Sequence, residues 1–258
     1  MNVFQKILQN KESIIQETLF NLKNPYIWDK NIVKFSHSIL KNEINIIAEI
    51  KKSSPSCGKI INANVEDLVN IYEKNKAIGI SMLTEKSMFS GSIYDLKTAR
   101  HLTNIPILRK DFIFCKEQIL ESKKFGASAV LIIIKMFKYL DYTLLKELFE
   151  YSKELEIEVF IEIFDEYDLE IAIKLNPRII MVNSRNLENL TINLNNFNKL
   201  LPQIPDNIIK ICASGIKNSK DILKYKNNCN MFLVGTNLLK NGIEKIGENL
   251  SNLIYAKA

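Results

Sequence analysis

Cysteine and histidine are scarce in this 258-residue sequence, and their scarcity excludes several kinds of site. The four cysteines form no Cys-x-x-Cys pair, so we expect neither a metal site nor a disulfide framework, and we interpret them as small apolar residues. The two histidines, His37 and His101, are too few for a catalytic dyad and are expected to be structural. The patterns of a nucleophile elbow, a Walker loop and a dinucleotide-binding glycine motif are also missing.

Long apolar runs are missing as well. No run approaches the roughly 18 residues that span a bilayer. The amino-terminal residues carry a charge every few positions, unlike the continuous apolar stretch of a signal peptide. We therefore expect a cytoplasmic protein that makes no contact with a membrane.

Arginine is rare despite a net charge of +6, since only 4 of the 35 basic residues are arginine. Isoleucine, lysine and asparagine together make 100 of the 258 residues, and all three have AT-rich codons. Mutational bias therefore accounts for the lysines without selection for a basic surface. Because the lysines are scattered among acidic residues and are not clustered with aromatic ones, we expect no nucleic-acid partner.

Short apolar runs alternate with amphipathic segments along the chain. The runs are nearly continuous in apolar residues, as is typical of parallel strands buried on both faces. The predicted strands are 44–50, 79–83, 106–109, 128–134, 157–163, 178–182, 208–212 and 230–234. The predicted helices are 65–77, 94–102, 116–125, 140–155, 166–175, 195–201, 218–228 and 242–255. This count and length favour an α/β fold, a closed (β/α)8 TIM barrel, over an open doubly wound sheet.

The residues before the first predicted strand form a separate feature. FQKILQNKESIIQETLF (4–20) has the pattern of an amphipathic helix that caps the barrel or lies along it. We expect one domain over 1–258, made of an N-terminal helical extension (1–43) and the barrel (44–258).

Charged and amide side chains follow most of the predicted strands. In a barrel, the carboxyl ends of the strands meet at one mouth, where catalytic groups lie. The strand-end residues include Glu49, Lys51, Lys110, Asp111, Lys135, Glu162, Asn183 and Arg185. Each alone is compatible with an exposed loop charge, but their repetition predicts a polar cavity.

Glycines follow the last two predicted strands, as Ser214-Gly215 and Gly235-Thr236. Glycine allows backbone N–H groups to approach an anion closely, and barrels often bind phosphate after strands seven and eight. The pattern predicts a phosphorylated small-molecule substrate.

These residues lie in motifs that resemble the indole-3-glycerol phosphate synthase family of tryptophan biosynthesis. The most specific are EIKKSSPS (49–56), LRKDF (108–112) and NSRNL (183–187). Similar stretches at 80–92, 160–175, 213–222 and 232–239 extend the resemblance through the whole barrel in the same order.

The resemblance implies a carboxy-lyase that closes the indole ring of 1-(o-carboxyphenylamino)-1-deoxyribulose 5-phosphate with loss of carbon dioxide and water. It implies no metal and no organic cofactor. The catalytic residues that it implies are Glu49, Lys51, Lys110 as the principal general acid, and Glu162. The substrate-binding residues that it implies are Ser54, Phe89, Phe112, Leu131, Asn183, Arg185, Ser214, Gly215, Gly235 and Thr236. Association with other enzymes of the tryptophan pathway is also an expectation.

One position departs from the family pattern. The family usually has Ser-Glu-Ser-Gly or Ala-Glu-Ser-Gly after strand seven, whereas this chain has Cys212-Ala213-Ser214-Gly215. Ala213 therefore replaces an active-site glutamate. Ala213 motivates one alternative to an active synthase, a catalytically weakened barrel of the same family. A second alternative, another phosphate-binding isomerase barrel, is favoured only if the matching stretches are a coincidence.

Overall fold

Parallel strands form a closed barrel in the computed structural model, which describes residues 2–23, 28, 31–54, 58–60 and 63–256. Within these residues the barrel has eight strands: β1 (Ile46–Ile50), β2 (Gly79–Leu83), β3 (Ile107–Lys110), β4 (Ala129–Ile133), β5 (Glu158–Ile163), β6 (Ile179–Asn183), β7 (Ile209–Ala213) and β8 (Met231–Val234). Each strand pairs in parallel with the next, and β8 pairs with β1 through the register Ile47↔Leu233. The predicted (β/α)8 barrel is confirmed.

Every residue of β1, β2, β4, β6 and β8 is buried, which explains why these strands appear as continuous apolar runs. The eight predicted barrel helices are present as Val65–Lys74, Ile93–Leu102, Lys116–Lys124, Tyr142–Glu154, Glu166–Lys174, Asn195–Leu200, Ser219–Tyr225 and Ile243–Ile254. No helix in the described part of the chain is long and apolar enough to cross a membrane.

Several short elements lie in the loops, and the sequence analysis did not predict them. They are the helices Phe35–Ser38, Lys86–Phe89 and Thr236–Leu239, the 3-10 turns Ile134–Tyr139 and Leu201–Gln203, and a small hairpin of Ser53–Ser54 with Gly58–Lys59. The hairpin follows β1, and the helix Lys86–Phe89 follows β2, so both lie at the carboxyl end of the barrel.

The prediction of a single amphipathic helix over 4–20 is wrong. Two helices, Val3–Gln9 and Lys11–Lys23, are separated at Asn10, whose N–H bonds back to the carbonyl of Ile7. The first helix buries apolar residues, but the second buries Thr18 and Asn21 and leaves Phe20 exposed. The fully buried residues of the second helix are therefore polar, while its Ile14 and Ile15 are only partly buried against the core.

Those polar contacts reach strand β3. Asn21 Nδ2 donates to Glu121 Oε1 at 2.7 Å, and Arg109 donates to Glu121 Oε2 at 2.6 Å. Arg109 also donates to Asp111, just past the end of β3, at 3.2 Å. Because a buried charge is costly without a partner, this network holds both the amino-terminal helix and the end of β3 in place.

Candidate active site

The carboxyl ends of the barrel strands surround a cavity of about 320 Å³. This volume is in the range of small-molecule sites. Ten of the fourteen site residues expected from the sequence line it: Glu49, Lys51, Phe89, Lys110, Asn183, Arg185, Ser214, Gly215, Gly235 and Thr236. We call this space the mouth cavity.

The other four expected site residues do not line the mouth cavity. Ser54 is buried in the small hairpin, and Leu131 is buried in β4. Phe112 packs edge-on against Phe4 of the first helix, with ring centroids 6.2 Å apart. Glu162 is 2% exposed and lies behind Lys110, in contact with mouth residues but outside the lining.

Glu49 and Lys51 form an ion pair at the end of β1. Nζ of Lys51 lies 2.5 Å from Oε1 of Glu49, and both side chains are largely buried. Burial raises the pKa of Glu49, but the positive charges of Lys51, Lys110 and Arg185 outweigh it, so the pKa is lowered overall. Tyr72 donates to the Glu49 backbone carbonyl at 2.9 Å, which further orients this residue.

A second chain of contacts runs from β3 through β5 to β6. Nζ of Lys110 lies 3.8 Å from Oε2 of Glu162. Asn183 donates to Glu162 Oε1 at 3.0 Å and accepts the backbone N–H of Arg185 at 3.0 Å. Arg185 in turn donates to the Leu190 carbonyl at 3.0 Å. An ammonium, a carboxylate, an amide and a guanidinium are therefore held in fixed mutual geometry at the carboxyl ends of β3, β5 and β6.

The opposite part of the cavity is formed by the loops after β7 and β8. Ser214 and Gly215 have positive φ values of 67° and 77°, and a Cβ at Gly215 would lie 2.5 Å from Leu194 Cδ2. Gly235 precedes the short helix Thr236–Leu239 and receives the Leu238 N–H on its carbonyl at 2.8 Å. Two tight backbone turns thus border one part of the cavity.

Two lysines that the sequence analysis missed also line this part of the cavity, Lys217 and Lys240. Both are exposed and belong to a lysine-rich background, so composition gave no reason to select them. The position of Lys217, two residues after Gly215, was the one sequence feature that could have indicated a place in the cavity. The described part of the lining then carries five cationic side chains and one carboxylate, that of Glu49.

Ala213 is the last residue of β7 and lines the mouth cavity. It is 2% exposed and pairs with Asn183 on one side and Leu233 on the other. A longer side chain at this position would therefore enter the cavity beside Asn183.

Two strand-end charges expected at the mouth lie elsewhere. Lys135 is in the 3-10 turn after β4 and pairs with Asp165 and Asp168. Asp111 accepts from Arg109 and from Thr84. In both cases a nearby opposite charge or donor holds the side chain away from the mouth cavity.

Among the residues that the structure describes, no cysteine and no histidine lines the mouth cavity. Cys212 is buried on β7, Cys115 and Cys229 are half-buried, and all three are free thiols. Cys57 lies outside the described residues. His101 bonds the Lys97 carbonyl at the end of its helix, at 2.8 Å.

A closed (β/α)8 barrel with a cation-rich mouth and paired acid and base groups defines a class of protein: a barrel enzyme whose site suits an anionic small molecule. Comparison with solved structures agrees on the fold. A mutant tryptophan synthase α-subunit from Pyrococcus furiosus superposes with a TM-score of 0.62 at 13% identity, covering 82% of this chain and 98% of that chain.

Comparison with sequences is more specific. The family model for indole-3-glycerol phosphate synthase matches residues 4–248. The indole-3-glycerol phosphate synthase of Sulfurisphaera tokodaii is 45% identical over 196 residues, covering 76% of this chain and 78% of that protein. That of Aquifex aeolicus is 37% identical over 246 residues, covering 93% and 95%. The chain belongs to the indole-3-glycerol phosphate synthase family.

Proposed function

We propose that the mouth cavity is the active site in which this chain closes the indole ring of its substrate. The protein is a carboxy-lyase of tryptophan biosynthesis that acts on a phosphorylated small molecule. It converts 1-(o-carboxyphenylamino)-1-deoxyribulose 5-phosphate to indole-3-glycerol phosphate, with loss of carbon dioxide and water. The observation that carries the assignment of the site is that two lysines, each beside a glutamate, meet at one mouth.

Ring closure needs an acid near the ketone oxygen of the substrate, because that oxygen gains negative charge as the aromatic carbon attacks. We assign this role to Lys110, whose ammonium group lines the cavity. Glu162, which lies 3.8 Å behind it, takes part in proton transfer. Asn183 holds the Glu162 carboxylate through its amide at 3.0 Å.

Loss of water after decarboxylation needs a second acid and base. The Glu49–Lys51 pair lies in the same cavity and supplies both groups. Because the pKa of Glu49 is lowered, its carboxylate stays ionised at neutral pH and can accept a proton.

Substrate binding follows from the charge of the lining. We propose that Arg185 and Asn183 hold the carboxylate and amino group of the anthranilate end, since a guanidinium binds a carboxylate in a fixed geometry. Ser214, Gly215, Gly235 and Thr236 hold the phosphate at the other end. We assign Ser54 to the same phosphate site from the hairpin after β1, although it lies outside the mouth lining. Phe89 forms an apolar wall beside the aromatic ring, with Phe112 and Leu131 supporting it from the core.

The proposal also covers the organisation of the protein. We propose that residues 1–43 and 44–258 fold as one domain that works in the cytoplasm, where free thiols such as those of Cys115 and Cys229 persist. Association with neighbouring pathway enzymes is part of the same proposal. Co-purification of this chain with those enzymes, and a single unfolding transition in urea, are the measurements that test these points.

The experiment that tests the activity uses the purified chain and the carboxyphenylamino-deoxyribulose phosphate. Formation of the indole ring is followed by fluorescence. Steady product formation is expected. No product under conditions where the protein is folded would contradict the proposal.

A further inference from the structure

Two buried carboxylate oxygens lack a hydrogen-bond partner among the described residues. They are Oε2 of Glu162 and Oδ1 of Asp168. Glu162 is 2% exposed and Asp168 is 1% exposed, so bulk water does not solvate either group. Each oxygen lies 3.8 Å from a lysine ammonium, that of Lys110 or of Lys135, which is beyond hydrogen-bond distance. Because a buried carboxylate oxygen without a hydrogen bond is costly, both oxygens have room for one more hydrogen-bond donor.

Both carboxylates line the same small cavity, which lies behind the mouth between β4, β5 and the segment after β6. Its volume is about 10 Å³, close to the minimum for one water molecule. Arg185, which also lines the mouth cavity, forms part of its wall. The small cavity therefore adjoins the proposed active site and offers two acceptors to one water molecule.

Lys135, which also lines the small cavity, connects Asp168 with a partly exposed residue. Its Oδ1 lies 3.8 Å from Nζ of Lys135, which is paired with Asp165, a residue whose side chain is 31% exposed. Its Oδ2 accepts the Phe164 N–H at 2.9 Å. Burial raises the pKa of Asp168 to about 6, so a fraction of the carboxyl groups carries a proton near neutral pH.

The reaction itself requires a proton from outside. The substrate carboxylate leaves as neutral carbon dioxide and the phosphate keeps its charge, so the products carry one negative charge less than the substrate. One proton must therefore be taken up from solvent in every turnover. The mouth cavity is occupied by substrate at that stage, so a separate route for the proton is useful.

We propose that one water molecule occupies the small cavity and that Asp168 passes protons through it to Glu162. In each turnover the O–H bond of protonated Asp168 breaks and its proton goes to the water oxygen. The same water gives one of its protons to Oε2 of Glu162. Asp168 is left as a carboxylate and regains a proton from solvent on the side of Lys135 and Asp165. Asp168 touches no substrate atom, acts through Glu162 and rests on the role proposed above for that residue.

The variant that tests the relay is Asp168→Asn, which keeps an acceptor for the Phe164 N–H but cannot carry the proton. We expect kcat to fall about tenfold or more, in the range of lost proton-transfer groups, with KM within about twofold of the wild type. In Asp168→Ala, which leaves room for a small carboxylate, added formate is expected to restore part of kcat. Glu166→Gln is the matched control, since Glu166 lies on the same helix but is exposed and paired with Lys199. It should keep wild-type kcat and should not respond to formate.

Each outcome is decisive. Wild-type kcat in Asp168→Asn overturns the relay but leaves the proposed function intact, whereas absence of product with the wild type overturns both. A fall in kcat without formate rescue of Asp168→Ala indicates a structural role and also overturns the relay. If both variants fail to fold, a high-resolution crystal structure of the unchanged protein decides. A water within hydrogen-bond distance of both oxygens supports the relay, and an empty or protein-filled space there overturns it.

Discussion

Gly235 packs directly against the carboxylate of Glu49. A Cβ atom added at Gly235 would lie 2.8 Å from Cδ and 3.0 Å from Cβ of Glu49. The glutamate has little freedom to move away, because it is buried and is paired with Lys51 at 2.5 Å. The loop after β8 and the ion pair at the end of β1 are therefore fitted to each other.

This fit predicts that Gly235→Ala lowers turnover. The methyl group should displace the Glu49 carboxylate and lengthen its bond to Lys51, and we expect kcat to fall by about tenfold or more, as expected for a misplaced acid or base. Steady-state kinetics measure this. Gly247→Ala is the control, since the atoms nearest to its methyl group belong to the side chain of Asn75, which follows helix Val65–Lys74 outside the mouth lining. Equal activity of the two variants would contradict the prediction.

Lys110→Ala should remove activity and leave the fold intact. Lys110 is half-buried at the mouth and its only described ion-pair partner is Glu162, so its loss removes a proton donor rather than core packing. A loss of about 10²–10⁴ in kcat is expected. Circular dichroism checks the fold, and Lys116→Ala, which removes an exposed lysine paired with Glu147, is the control. More than a tenth of wild-type activity in Lys110→Ala would show that another group is the acid.

Gly215→Val should raise KM more than it lowers kcat. Phosphate is bound equally in the ground state and the transition state, so weaker phosphate binding raises KM and changes kcat little. The positive φ of 77° and the closeness of Leu194 make a side chain at Gly215 displace the loop. Gly242→Val is the matched control, because Gly242 has a similar φ of 84° but lies outside the mouth lining. Inorganic phosphate at tens of millimolar should also inhibit weakly and raise the Tm of the wild type, but not that of Gly215→Val.

The raised pKa of Asp168 predicts how stability depends on pH. Burial raises this pKa from 3.8 to about 6, so between these values the folded chain binds more protons than the unfolded chain. The contribution of this group to the free energy of unfolding therefore falls by up to about 3 kcal/mol as the pH rises through this window. Above the window the contribution stays constant. Lys135, Asp165, Glu162 and Arg185 surround Asp168 and stay in place in Asp168→Asn.

Asp168→Asn should consequently be more stable relative to wild type at pH 7.5 than at pH 4.5. Urea unfolding at the two pH values measures the difference. Glu166→Gln again serves as the control, because the carboxylate of Glu166 is exposed and burial does not raise its pKa above the usual value. The same relative stability of Asp168→Asn at both pH values would mean that Asp168 is ionised in the folded chain throughout this range.

The sequence predicted what depends on local pattern and on strand order. The runs that became β4 and β6 are apolar because both faces are buried, and Lys110 and Asn183 reach the mouth because they end their strands. The contacts between elements could not be predicted from the sequence. That Lys135 would pair with Asp165 rather than face the mouth depends on a turn whose geometry no spacing rule supplies. The contact of Asn21 with Glu121 is likewise a polar contact between distant segments, which a pattern of apolar residues does not predict.

Ala213 stands in place of a carboxylate in a cavity that is rich in cations. The residue ends β7, lines the mouth and lies beside Asn183. With alanine there, the described residues of the lining include one carboxylate and five cationic side chains, which favours binding of an anionic substrate. The substrate amino group, however, loses one acceptor, and a buried donor without a partner is held less precisely. We therefore expect the wild type to bind well and turn over slowly.

Ala213→Glu should increase kcat. The new carboxylate would be ionised, because Lys51, Lys110 and Arg185 line the same cavity and favour its charged form. A hydrogen bond to a charged group contributes roughly 1.5–3 kcal/mol, so a gain of about tenfold or more is expected if the bond forms in the transition state. Ala213→Gln is the matched control, since it fills the same space without the charge and should gain less. Steady-state kinetics of the wild type and both variants test this prediction. If kcat of Ala213→Glu is equal to or lower than an ordinary wild-type kcat, the positions of Asn183 and its neighbours are adapted to alanine and the prediction is wrong.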